Sequence, residues 1–140
     1  MSERAFFDTN ILLYMYDRRD PVKQERALSV FRSCVDSRSL VISTQVVQEF
    51  YVAVTKKLAV SGDAARELVA DLCDLEVIGI ETTHILRATR LEQRYRLSFW
   101  DALIVSAAES AQASILYTED HSNGQKIGRI QVRNPLIPHS

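Results

Sequence analysis

Short apolar runs alternate along this chain with longer segments in which apolar residues recur at helical spacing. Such runs are typical of buried strands, and the longer periodic segments are typical of helices that bury one face. Strands are predicted at Ala5–Asp8, Leu40–Ser43, Val77–Ile80, Ile115–Thr118 and Ile130–Arg133. Helices are predicted between them, near residues 11–16, 21–36, 45–58, 64–75, 83–95 and 98–112, with Thr44 as the cap of the third. This alternation predicts an α/β sandwich built on a mainly parallel sheet.

The size of the chain predicts one domain over residues 1–140. A chain of 140 residues is close to the commonest domain length, and its 46% apolar composition is enough for one core. The apolar stretch from Ala5 to Tyr16 is interrupted by Asp8 and Asn10 and is too short to cross a bilayer. We therefore expect a cytoplasmic protein that does not associate with a membrane.

The charge balance does not by itself indicate a nucleic-acid partner, because 17 basic residues face 18 acidic ones. The bases nevertheless occur in groups. Arg87, Arg90 and Arg94 are spaced so that a helix presents them on one face. This arginine stripe either forms a solvated helix face or binds successive phosphates of a nucleic acid.

Several acidic residues lie where a parallel sheet binds ligands or where burial is expected. Asp8 ends the first predicted strand, and Glu119 and Asp120 follow the strand that ends at Thr118. Ligands of open parallel sheets bind beyond the carboxyl ends of strands. Glu49 and Asp101 are embedded in apolar sequence on predicted helices. Since a buried carboxylate needs a compensating charge, a bound divalent cation is the simplest explanation for the group.

Each acid also has a purely structural interpretation. Asp8 is able to bond to local backbone, and Asp101 follows Ser98 in a pattern close to a helix capping box. Glu49 is explained equally well as a solvent-facing helix residue, and Asp120 as an ordinary turn acid. His121, next to Asp120, is better explained as a surface turn residue than as a substrate contact. The absence of any Cys or His cluster in the sequence argues against a zinc site.

Four segments, taken in order, resemble the PIN-domain family and within it the VapC toxins of prokaryotic toxin–antitoxin pairs. The segments are Phe7-Asp8-Thr9-Asn10-Ile11-Leu12-Leu13-Tyr14, Ser43-Thr44-Gln45 followed by Glu49-Phe50, Leu97-Ser98-Phe99-Trp100-Asp101-Ala102-Leu103-Ile104, and Leu116-Tyr117-Thr118-Glu119-Asp120. The resemblance extends from Phe6 to about Pro135 and implies a PIN-like α/β/α sandwich with a mainly parallel sheet.

The resemblance also implies a site and an activity. It places Asp8, Glu49 and Asp101 on the metal-binding acids of the family and Thr9 or Asn10 on a supporting position. The fourth acid is Asp120 by the Thr-x-Asp pattern, although the adjacent Glu119 is able to substitute or assist. Thr9, Asn10 and Ser98 are candidates for orienting the acids through hydrogen bonds.

The implied chemistry is hydrolysis of RNA phosphodiesters with Mg²⁺ or Mn²⁺, hard cations that prefer oxygen ligands. The implied partners are an RNA substrate, a small antitoxin protein and a second copy of the chain in a homodimer. Two alternatives stay open. One is a nuclease of the same fold that works in RNA processing outside a toxin system, and the other is a non-catalytic module whose acidic pocket binds a basic partner.

Overall fold

Six strands form one sheet in the computed structural model, which describes residues 3–138 of the predicted domain 1–140 and leaves the two residues at each end outside. They are β1 (Ala5–Phe7), β2 (Leu40–Ser43), β3 (Glu76–Ile78), β4 (Ile115–Tyr117), β5 (Lys126–Ile127) and β6 (Ile130–Arg133). Their order across the sheet is β3-β2-β1-β4-β6-β5. Among these strands only the pair β5 and β6 is antiparallel. The expected mainly parallel sheet is confirmed.

Helices flank this sheet, as the α/β/α prediction requires. They are α1 (Thr9–Tyr14), α2 (Pro21–Asp36), α3 (Thr44–Lys56), α4 (Gly62–Cys73), α5 (Thr82–Tyr95) and α6 (Phe99–Ser110). All three residues of β1 are buried, and Phe6 and Phe7 are among the largest fully buried side chains. Within residues 3–138 no helix has the length and apolarity that spanning a bilayer demands.

Two details of the sequence prediction are wrong. The cap of α3 is Ser43, whose hydroxyl accepts from the Val46 amide, while the hydroxyl of Thr44 accepts from the amide of Ile80 beyond β3. The strand β5 was not predicted, because two residues are too few to show a period and they follow the turn-like pair Asn123 and Gly124.

The order of the strands creates a switch point between β1 and β4. The chain passes from β1 to β2 on one side, whereas β4 pairs with the other edge of β1. The Asp8 amide, just beyond β1, donates to the Tyr117 carbonyl at the end of β4 at 3.0 Å. The residues that follow these two strands therefore meet where open parallel sheets bind their ligands.

Candidate active site

Three carboxylates from distant parts of the sequence converge at this switch point. Asp8 caps α1 directly after β1, Asp101 lies in the first turn of α6, and Asp120 lies in the loop after β4. One oxygen from each side chain lies within 4.8 Å of the others. We call Asp8, Asp101 and Asp120 the carboxylate cluster.

Asp8 is the most buried member of the cluster, with 6% of its surface exposed. Its Oδ1 accepts from the Thr9 amide at 2.7 Å, and its Oδ2 accepts from the Thr118 hydroxyl at 2.8 Å. Burial raises the pKa of Asp8 to about 7, because loss of hydration outweighs these two hydrogen bonds and the nearby carboxylates of Asp120 and Asp101 oppose a further negative charge. At neutral pH this site therefore needs a proton or a cation.

Thr118 is the polar residue that connects the cluster. Its hydroxyl donates to Asp8 and accepts from Asn10 Nδ2 at 3.3 Å and from the Asp120 amide at 3.1 Å. The predicted supporting residue Asn10 thus acts on the acids through Thr118, and its side-chain amide also lowers the pKa of Asp120 directly. The sequence motif contains Thr118 but assigns it no role, although a polar residue at the end of a buried strand was the available signal.

The Asp101 carboxylate is not used for helix capping among the described residues. Ser98 caps α6 by accepting from the Asp101 amide at 3.1 Å, so the side chain of Asp101 is free to face the cluster. His121 Nε2 lies 3.9 Å from Asp101 Oδ2, and its side chain is only 12% exposed. His121 lies in a bend of the loop after β4, as expected, but its side chain packs beside the cluster and is mostly shielded from solvent.

Asp120 and Glu119 occupy different environments despite being adjacent. Asp120 belongs to the cluster, and its pKa is raised by burial first and by the charge of Asp101 second. Glu119 instead turns toward α2, where Lys23 Nζ lies 3.4 Å from its Oε2. The geometry favours Asp120 over Glu119 as the third oxygen donor beside Asp8 and Asp101.

Glu49 stands apart from the carboxylate cluster. It is exposed on α3, and its Oε1 accepts from the Thr9 hydroxyl at 3.1 Å. Its apolar neighbours in sequence point elsewhere because successive residues are rotated by about 100° around a helix. The expectation that apolar sequence buries this acid is wrong, although Glu49 does face the same cavity as Asp8 and Asp101.

The donors of the cluster fit a hard divalent cation. Three carboxylates offer oxygen atoms alone, with no His or Cys in the group. Asn10 Oδ1 is buried beside them and accepts no hydrogen bond within the described part of the chain. Mg²⁺ and Mn²⁺ take such oxygen donors, and Mg²⁺ usually keeps several waters that need acceptors of this kind.

The cluster opens into a cavity of about 810 Å³. Its lining includes both acidic and basic side chains, among them Lys56 and Lys57 at the end of α3, and the indole of Trp100. The predicted arginine stripe on α5 does not line it, and Arg87 of that stripe pairs with Glu109 at 3.0 Å. The phosphate-track interpretation of the stripe thus gains no support from the cavity.

Fold and site together define an α/β/α protein with a candidate metal centre of carboxylates at the switch point of its sheet. The sequence pattern of the PIN domain matches residues 5–126. The chain belongs to the PIN-domain family. Among curated proteins no relative matches it.

Solved structures share the fold at low sequence identity. VapC20 from Mycobacterium tuberculosis, described as a toxin that cleaves the sarcin–ricin loop, has a TM-score of 0.64 at 17% identity, covering 83% of this chain and 89% of its own. A toxin–antitoxin complex from Klebsiella pneumoniae gives 0.66 at 24%, covering 94% and 97%. VapBC2 from Rickettsia felis, bound to a DNA fragment of its promoter, gives 0.69 at 19%, covering 93% and 97%.

Proposed function

We propose that this chain is a single-domain, metal-dependent endoribonuclease that acts in the cytoplasm as the toxin of a toxin–antitoxin pair. The observation that carries the proposal is the carboxylate cluster at the switch point of a PIN fold. The toxin role is supported by similarity in fold to chains from toxin–antitoxin structures.

The roles of the residues follow from their contacts. Asp8, Asp101 and Asp120 would hold Mg²⁺ or Mn²⁺, and Thr118 fixes two of these acids through its hydroxyl. When bound, a divalent cation supplies Lewis-acid stabilisation of a phosphoryl oxygen and lowers the pKa of a coordinated water. Thr9 donates a hydrogen bond to Glu49, which lines the same cavity, so its carboxylate is available as the fourth acid.

The burial of Asp8 contributes to this chemistry before any cation binds. Because its pKa is about 7, Asp8 in the metal-free site is only partly ionised at neutral pH, and binding of a cation must displace the proton from the protonated fraction. Ser98 and Glu119 have indirect roles: Ser98 caps the helix that presents Asp101, and Glu119 pairs with Lys23 at the rim.

Nuclease activity is tested by incubating the purified chain with total RNA. We expect cleavage in Mg²⁺ or Mn²⁺ and none in EDTA. Resemblance to the PIN-domain family implies fragments with 5′-phosphate and 3′-hydroxyl ends. A matched sample of Asp8→Asn protein controls for a contaminating nuclease. If a folded wild-type protein with bound Mg²⁺ leaves every RNA intact, the chain is a non-catalytic binding module.

The antitoxin proposal rests on charge and on exposed apolar side chains. A guanidinium or ammonium group from a small partner would neutralise the carboxylate cluster. Tyr16, in the turn after α1, is 37% exposed, and Tyr51 and Val52 of α3 are 42% and 49% exposed, so this region offers an apolar surface near the cavity. Phe50 and Val54 of α3 are fully buried, so only part of the apolar side chains in this region is accessible to a partner.

Purification of the tagged chain from its native host tests this proposal. We expect a complex with a small basic protein that suppresses cleavage, and native mass measurement should show two copies of the chain, as the proposed homodimer requires. Recovery of a free, fully active chain would favour an RNA-processing nuclease outside a toxin system. Recovery of a monomer would rule out the homodimer.

A further inference from the structure

Trp100 is the one tryptophan of the sequence and is 62% exposed. It precedes Asp101 of the carboxylate cluster and lines the same cavity. The backbone of Trp100 is fixed, because its carbonyl accepts from Gln45 Nε2 at 3.1 Å. A large aromatic ring is thus held in solvent beside the candidate metal centre.

One face of α3 forms the floor of the cavity from end to end. The residues of α3 and its cap that line the cavity recur at helical spacing: Gln45, Gln48, Glu49, Val52, Ala53, Lys56 and Lys57. Gln45, which contacts Trp100, lies 11 positions before Lys56, a rise of about 16 Å along the helix. Glu49 lies between these two ends and faces the cavity that the carboxylate cluster also lines. The groove therefore has an aromatic end, an acidic centre and a basic end.

The basic end is available to a ligand. Lys56 and Lys57 form no salt bridge with any residue between positions 3 and 138. Arg19, which also lines the cavity, is held by Asp17 through two hydrogen bonds of 2.9 and 3.0 Å. The free positive charge of the groove is therefore concentrated at the lysine pair.

We propose that this groove binds single-stranded RNA with one base stacked on Trp100 and a phosphate further along the strand on Lys56 and Lys57, so that an intervening phosphodiester lies at the carboxylate cluster. The proposal rests on the nuclease function proposed above and assigns the substrate contacts on either side of the site. Proteins that bind single strands combine aromatic platforms for bases with a basic groove for the backbone. An RNA segment is the ligand whose repeating base and phosphate match both ends of this groove.

The indole itself reports on stacking, because the fluorescence of the protein comes from a single tryptophan. We expect an unstructured oligoribonucleotide of about ten nucleotides to quench Trp100 emission in EDTA, where the RNA stays intact. An abasic oligomer of the same length should bind through its phosphates without comparable quenching. Equal quenching by both oligomers would overturn base stacking.

Steady-state kinetics of RNA cleavage distinguish the loss of base stacking on Trp100 from a disturbance of the adjacent Asp101. We expect Trp100→Ala to raise KM roughly 5- to 150-fold, which corresponds to about 1–3 kcal/mol of stacking, and to leave kcat near the wild-type value. Trp100→Phe should restore part of the affinity. Leu86→Ala removes a comparably exposed apolar side chain from α5, outside the cavity, and should change neither constant.

The lysine pair is tested by the salt dependence of binding. The double variant Lys56→Gln/Lys57→Gln should lower the slope of log affinity against log salt by about 0.7, because that is the contribution of one phosphate contact on a single strand. Arg32→Gln removes an exposed charge from α2, away from the groove, and should leave the slope unchanged.

These measurements distinguish failure of the inference from failure of the proposed function. If wild-type protein cleaves RNA while Trp100→Ala keeps the wild-type KM and RNA leaves the emission unchanged, the stacking site is refuted and the nuclease stands. The exposed indole would then be a protein contact. If no RNA is cleaved in Mg²⁺, the nuclease is refuted, and quenching that depends on bases would still support the groove as an RNA-binding site.

Discussion

Replacing Asp101 with asparagine should lower metal-dependent RNA cleavage by at least roughly 100-fold, because groups that only orient metal ligands already contribute 10- to 100-fold. The change removes one negative charge from the carboxylate cluster with almost no change in volume. Cleavage of RNA under saturating Mg²⁺, beside the thermal unfolding of the same samples, measures the effect. Asp101→Asn should keep the wild-type unfolding temperature within a few degrees.

Ser98→Ala is the matched control for this variant. Ser98 caps α6 through the Asp101 amide, so its loss should cost about 1 kcal/mol of stability while most of the activity remains. The two variants thus distinguish the effect of losing the capping hydrogen bond from the effect of losing the Asp101 carboxylate. If Asp101→Asn cleaves RNA at the wild-type rate, Asp101 serves the helix and not the site.

The adjacent acids after β4 provide a second matched pair. Asp120→Asn should reduce cleavage more than Glu119→Gln, since Asp120 belongs to the cluster and Glu119 pairs with Lys23. Each change removes one negative charge at neighbouring positions. A difference between their effects on cleavage therefore reflects where the two carboxylates lie relative to the cluster. The reverse order would transfer the role of third donor to Glu119.

The fold could be predicted from the sequence because periodicity is a local signal. The bounds of α2, β2 and β6 agree with the predicted segments. The pairing order of the strands and the two-residue β5 could not be predicted, because they depend on contacts between segments far apart in the chain. The order of the strands is what brings acids from separate strand ends together at one site.

The site was predictable only in part, for a related physical reason. Asp8 and Asp120 lie at strand ends, where the fold class already directs attention. The distance of Glu49 from the cluster depends on the rotation of α3 against the sheet, which no spacing in the sequence encodes. The position of the His121 side chain beside Asp101 likewise results from the path of a loop, which its neighbours in sequence do not encode.

Replacing Asp8 with asparagine should stabilise the metal-free protein at alkaline pH. The pKa of Asp8 rises from 3.8 to about 7 in the folded state, chiefly because of burial, so the metal-free folded chain holds this proton more tightly than the unfolded chain. The stability contributed by the proton is complete below pH 3.8 and is lost as pH rises through 7. The neutral amide of the variant has nearly the shape of the protonated acid, and its contribution to stability does not depend on pH.

The expected size of the effect follows from proton linkage. Between pH 5 and pH 8 in EDTA, the free energy of unfolding of wild-type protein should fall by about 2–3 kcal/mol relative to Asp8→Asn, since each unit of pH between the two pKa values costs about 1.4 kcal/mol. Urea titrations at several pH values measure the difference. Asp36→Asn is the control, because Asp36 is exposed and should follow the wild-type curve.

Saturating Mg²⁺ should reverse this order of stability. A cation bound by Asp8, Asp101 and Asp120 removes the penalty of the buried charge and stabilises the folded state in proportion to the logarithm of its concentration above Kd. Asp8→Asn loses part of that binding, so wild-type protein should become the more stable of the two at pH 8. If Mg²⁺ stabilises both proteins equally, Asp8 is not a ligand, and its high pKa reflects burial alone.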